Sequence, residues 1–234
     1  MKKMSWEKKL LLSIALLSFP AFPALAQGYS KSFRVQDRSG TLEVVNKMGS
    51  VSVNVAEGNT ITVTAKQADP PVNAIQSAQG KVRVEVTGNA TVDLVINVPT
   101  NTALDLTCIK GEVTVRNMSG PIRTRTAEGD ILLSGIRSPK VDVGSQTGNV
   151  SFSGDILPGG NYTLRSHSGR VSATLPASAD FRLQASSWRG GVDVNGFGVS
   201  FTTQTDKRVE GTHGEGRATV VLWTQEGSIQ LRRR

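Results

Sequence analysis

Thr126-Ala127-Glu128-Gly129-Asp130-Ile131-Leu132-Leu133 is answered nineteen residues later by Ser145-Gln146-Thr147-Gly148-Asn149-Val150-Ser151-Phe152. Each stretch is a small polar residue, two variable residues, a glycine, and then an alternation of apolar and polar side chains. The phrase occurs nine times in 234 residues, at Gly49, Gly80, Gly111, Gly120, Gly129, Gly148, Gly169, Gly190 and Gly227. Three places before these glycines stand Asn46, Ser77, Cys108, Asn117, Thr126, Ser145, Ser166, Ser187 and Thr224. Repetition at this density means one supersecondary unit stacked many times.

The phrase has a physical reading. A type I turn favours Asn or Ser at its first position and Gly at its fourth. The small side chain is expected to accept a hydrogen bond from a backbone N–H two residues on, within its own turn. Gly is expected where the chain needs positive φ to re-enter a strand. The strands that follow alternate, as in Val113 and Val115, Ile131 and Leu133, or Ile229 and Leu231. That period of two predicts one buried face and one wet face. A second strand set is predicted at Val141 to Val143, Tyr162 to Leu164 and Phe181 to Leu183.

From Gly111 to Gly190 the glycines advance by 18, 19, 21 and 21 residues. Two short strands and two turns fit a unit of about twenty residues. The expected fold is all-β and single-domain: a repetitive β-solenoid of parallel type, like a right-handed β-helix or a β-roll, with coils stacked in chain order. Each coil buries its apolar face only against its neighbours.

The first 26 residues read as a cleaved signal peptide. Lys2, Lys3, Lys8 and Lys9 precede the apolar run Leu10 to Phe19, and Ala24-Leu25-Ala26 is a cleavage pattern. Residues 27–234 are then the β-repeat domain. Removing those four Lys and Glu7 lowers the formal charge from +8 to +5. No further membrane-spanning stretch appears in the mature chain, and no Cys stands at the cleavage point to carry a lipid. The single Cys108 has no intramolecular partner and reads as a small buried residue. Asp69-Pro70-Pro71-Val72 reads as a connection leading into a short helix near Asn73 to Ser77. Gly211 to Gly216 reads as a long hairpin-like turn. Arg232, Arg233 and Arg234 read as cations that protect a terminal edge strand, with an anionic envelope surface as the functional alternative.

At this point the residues resemble a known family. Gly111-Glu-Val-Thr-Val, Glu128-Gly-Asp-Ile-Leu-Leu-Ser-Gly, Thr147-Gly-Asn-Val-Ser-Phe-Ser-Gly and Tyr162-Thr-Leu-Arg-Ser-His-Ser-Gly-Arg-Val carry the likeness. They resemble the bacterial putative-adhesin family, a toastrack-like domain of unknown function. The resemblance implies an exported, repetitive β fold of the bacterial envelope, with some members linked to envelope-stress systems. It carries over no catalytic residues.

Residue chemistry points the same way. Hydrolysis of a glycan needs two carboxylates at a working separation, and Asp93, Asp105, Glu112, Asp130, Asp142 and Asp193 are spread over the repeats. The place after the glycine varies widely, which suggests solvated turn surface. His167 and His213 stand apart with one Cys, so no metal set and no cofactor are expected. An export signal and few aromatics argue against nucleic acid. Two before the glycine stand Ile109, Ala127, Gln146, His167 and Trp188. Stacked turns would place these along one edge. There they either cover neighbouring loops or form a contact patch of Ile109, Gln146, His167 and Trp188 for an envelope protein or glycan. The expected role is an exported, non-catalytic envelope protein in the periplasm, at the cell surface or outside the cell. An accessory or sensory part in an envelope-stress system is the alternative. A carbohydrate-active enzyme is third.

Overall fold

The computed structural model describes residues 28–36, 40–68 and 70–234. The signal peptide expected over residues 1–26 lies outside the described residues. Those described residues form 21 strands and no helix. In chain order the first eleven are β1 (Gly28–Arg34), β2 (Thr41–Met48), β3 (Val51–Val55), β4 (Thr60–Ala68), β5 (Val72–Gln76), β6 (Lys81–Val86), β7 (Leu94–Val98), β8 (Ala103–Lys110), β9 (Val113–Arg116), β10 (Ile122–Glu128) and β11 (Ile131–Ile136). Then follow β12 (Lys140–Thr147), β13 (Val150–Gly154), β14 (Asn161–Ser168), β15 (Val171–Leu175), β16 (Phe181–Arg189), β17 (Val192–Val194), β18 (Ser200–Gln204), β19 (Arg208–His213), β20 (Ala218–Glu226) and β21 (Ile229–Arg233).

The strands build two sheets. The front sheet runs β18-β19-β16-β20-β14-β12-β10-β8-β2-β6-β5, and the back sheet runs β1-β4-β7-β3-β9-β11-β13-β15-β21-β17. A coil is one front strand, a tight corner at the repeated glycine, and one back strand. Within the stack neighbours are parallel and in register: Leu104 and Leu106 lie beside Ile122 and Thr124, and these beside Val141 and Val143. The chain is therefore an all-β solenoid, as its repeat predicts.

Alternation explains the core. Leu42, Val44, Val113, Val143, Phe152 and Leu222 point between the sheets and are buried. Each such side chain contributes about 1.5–3 kcal/mol by leaving water. Tyr162 is buried too, and its polar tip is satisfied. Its hydroxyl donates to the Ser138 carbonyl at 2.7 Å and accepts from the Leu157 N–H at 2.8 Å. Burial pushes its pKa up.

The stacking order departs from chain order at two places. The coil β2–β3 precedes β6–β7 in sequence yet sits between β6–β7 and β8–β9. The coil β20–β21 comes last in sequence yet sits between β14–β15 and β16–β17. Arg232 and Arg233 thus lie on an interior strand, and the edge-protecting role expected of the terminal arginines does not hold. Arg232 instead pairs with Asp193 on β17 at 2.6 Å, and Arg234 pairs with Asp155.

Antiparallel strands close three of the four sheet ends, and the parallel strand β17 forms the fourth. On the back sheet β4 and β1 cover β7, and on the front sheet β5 covers β6 while β19 and β18 cover β16. The helix expected near Asn73 to Ser77 is strand β5, because pairing with β6 outweighs weak local preference. The segment Gly211 to Gly216 is not a hairpin turn. β19 continues to His213, and β19 and β20 flank β16 on opposite sides.

Candidate functional site

The corners set the geometry of the outer surface. Seven of the nine glycines stack in one column: Gly49, Gly111, Gly129, Gly148, Gly169, Gly227 and Gly190. Six of the seven would place a Cβ 1.9–2.1 Å from the carbonyl oxygen of the next glycine in the column, and Gly49 would place one 2.3 Å from that of Val92. Their φ values are positive, from 104° to 158°. Gly80 and Gly120 stand elsewhere. Gly80 turns the antiparallel hairpin between β5 and β6, and Gly120 closes the opposite corner against Thr102.

At four of the corners the small residue three places earlier does not cap its own turn. Its side chain points inward and donates to a glycine carbonyl of the neighbouring coil. Ser145 reaches Gly129 at 2.9 Å, Ser166 reaches Gly148 at 2.7 Å, Thr224 reaches Gly169 at 2.8 Å and Ser187 reaches Gly227 at 2.8 Å. At those four corners the expected bond within the turn gives way to the stacked glycine carbonyl, whereas the Ser77 hydroxyl accepts from the Lys81 N–H of its own turn at 3.3 Å and the Asn46 amide donates to the carbonyl of its own Gly49 at 3.0 Å. Cys108 holds the same place. It is buried, its Sγ lies 3.5 Å from the Gly49 carbonyl, and burial pushes the thiol up to about 11.

The residues after the glycine also bond between coils. The Asp130 carboxylate accepts from the Asn149 N–H at 2.7 Å, and the Asn149 side-chain oxygen accepts from the Arg170 N–H at 2.9 Å. A position that varies along the sequence is thus part of a structural ladder.

The residues two before the glycine do share one edge. Register places Ile109, Ala127, Gln146, His167, Gln225 and Trp188 in line on adjacent strands. Gln225 separates His167 from Trp188, because the last coil is interposed. Ile109 is 44% and Trp188 72% exposed, and Gln146 and His167 are exposed as well.

This edge is one row of a larger grid on the outer face of the front sheet. A parallel row holds Thr107, Arg125, Gly144, Arg165, Trp223 and Ser186. The next holds Asp105, Arg123, Asp142, Thr163, Val221 and Gln184. Arg125 donates to the Asp142 carboxylate at 2.6 Å. Reading from sequence missed Arg123, Arg165 and Trp223. Their signal was parity, since each lies an even number of places before the edge residue of its strand.

His213 is remote from this face. It packs on Phe181 and Phe197 at 5.6 and 5.2 Å between ring centroids. Among the described residues no three His, Cys, Asp or Glu side chains gather as a metal set, and no helix is long and apolar enough to cross a membrane.

No curated protein matches the chain. Among solved structures it is similar to one described as a putative cell adhesion protein from Clostridium sporogenes ATCC 15579. The two are 14% identical with a TM-score of 0.56, over 89% of this chain and 100% of that one. A putative adhesin from Bacteroides fragilis NCTC 9343 is 10% identical with a TM-score of 0.43, over 88% of this chain and 97% of that one. The likeness to the first is one of fold. The Toastrack DUF4097 family matches residues 24–232, and with nearly the whole described solenoid inside that match, the chain belongs to the Toastrack DUF4097 family.

Proposed function

We infer that this chain is an exported, non-catalytic protein of the bacterial cell envelope that makes contact through its outer surface. The observation that carries this reading is the front-sheet grid. Parallel register and a glycine corner at each coil hold rows of outward side chains at fixed spacing of about 4.8 Å. A surface ordered before binding loses little entropy on contact. Two front-face acids are tied up in pairs: Asp142 with Arg125, and Glu43 with Lys81 and Arg83. That supports a contact role over an acid–base pair. The likeness to a protein described as a putative cell adhesion protein points the same way.

The test is co-sedimentation of purified residues 27–234 with bacterial envelope fractions. Saturable sedimentation is expected. Absence of sedimentation with every fraction overturns the contact reading, and turnover of a defined substrate overturns the non-catalytic one.

A further inference from the structure

The two outer faces of the solenoid differ in charge. On the back sheet one row reads Ser52, Thr114, Leu132, Ser151, Ser172 and Gln230 without a charge and ends at Asp193 on β17. The next holds Arg116, Ser134, Ser153, Thr174 and Arg232, and Arg232 is paired with Asp193. The front sheet from β10 to β16 holds five Lys or Arg on its outer face: Arg123, Arg125, Lys140, Arg165 and Arg182. Asp142 is the one carboxylate of that face among these strands, and Asp105 borders it on β8.

Of these cations, Arg125 alone has an ion pair among the described residues. Lys140, Arg165 and Arg182 are exposed and form none. The Arg125 side chain lies across Gly144 to reach Asp142, and Arg165 stands on the far side of Gly144, two strands from Arg125 and so about 10 Å away. Beside it a hollow of about 210 Å³ is lined by Lys140, Asp142, Asn161, Thr163 and Arg165. Trp223 is half-buried next to Arg165, and Trp188 is exposed one strand further on.

Unpaired cations with side-chain amides and indole faces suit one ligand chemistry. The cations take carboxylates, the amides take hydroxyls, and the indoles take the apolar faces of sugar rings. We propose that the β10–β16 face binds an acidic polysaccharide lying across the strands, with Lys140 and Arg165 holding its carboxylates and Trp223 stacking on a ring. This rests on the contact reading above and names its ligand class.

The probe is polygalacturonate, read by quenching of tryptophan fluorescence, with neutral dextran and poly(dT) alongside. Binding to polygalacturonate that weakens with salt is expected, with dextran much weaker. A Lys140→Gln/Arg165→Gln variant should lose about tenfold or more in affinity, equivalent to about 1.4 kcal/mol. Lys140→Arg/Arg165→Lys should retain binding, and so should Arg116→Gln on the opposite face. Trp223→Phe should retain most of it. Unchanged binding by the charge-removed variant overturns the proposal, as does equal binding of dextran. Tighter binding of poly(dT) overturns the glycan assignment. If polygalacturonate fails while envelope fractions still sediment the protein, this proposal falls alone; if neither binds, the contact reading falls as well.

Discussion

The hydroxyl of Ser166 donates to the carbonyl oxygen of Gly148, which belongs to the neighbouring coil, at 2.7 Å. The bond joins a front-strand residue of one turn to the corner of the next, so it ties rungs together where the chain bends. Ser166→Ala leaves that partly buried acceptor without its hydroxyl donor. The expected loss is about 1–2 kcal/mol, measured by urea unfolding. An unchanged midpoint would show that the ladder is incidental to stability.

Gly129 and Gly80 separate two causes of intolerance. A Cβ at Gly129 would lie 2.0 Å from the Gly111 carbonyl, whereas one at Gly80 meets nothing within 4 Å. Both have positive φ. Gly80→Ala should cost about 1 kcal/mol from backbone strain alone. Gly129→Ala should cost about 4 kcal/mol or more, because backbone must move against backbone. Equal thermal shifts would refute the stacked column.

Thr124 sits in an otherwise apolar interior row between Leu106 and Val143, and its hydroxyl has no hydrogen-bond partner among the described residues. Thr124→Val keeps the shape and removes an unsatisfied polar group. It should stabilise the chain by about 1 kcal/mol, seen as a higher melting temperature.

Cys108 is buried with a thiol pushed up to about 11 by burial. Native protein at pH 8 should react with a maleimide far more slowly than protein in denaturant. Rapid labelling of the native chain would place the thiol in solvent.

Asp180 accepts from the Arg217 N–H at 3.0 Å and from its guanidinium at 2.5 Å. The backbone N–H first, and the side chain with it, hold the carboxyl below its ordinary range. A lowered folded pKa gives stability that is complete above the unfolded value and lost as pH falls through the folded one. Asp180→Asn should therefore remove part of the acid dependence of the melting temperature while leaving the dependence above pH 6 unchanged.

Much of the architecture was legible because it is local. Alternation around Ile131, Val150 and Ile229 marks strands, and the recurring glycine marks corners. Neighbour order was not legible. Thr224-Gln225-Glu226-Gly227 carries the same phrase as Ser187-Trp188-Arg189-Gly190, and nothing in a repeated phrase says which copy stands beside which. That choice is made by long-range pairing, so Gln225 was missed from the edge row. The role of Ser166 was hidden for the same reason, since its acceptor belongs to another coil. The charged half of the front face was hidden because Arg123, Arg165 and Trp223 are far apart in sequence and meet only through register.

The interposed position of β20–β21 makes residues 218–233 a keystone. Until residues 218–233 have emerged, β14 and β16 have no correct neighbour between them, however well the earlier turns have assembled. A ribosome that stops early therefore yields a molecule with a missing middle, which leaves two raw strand edges for a protease or chaperone to find.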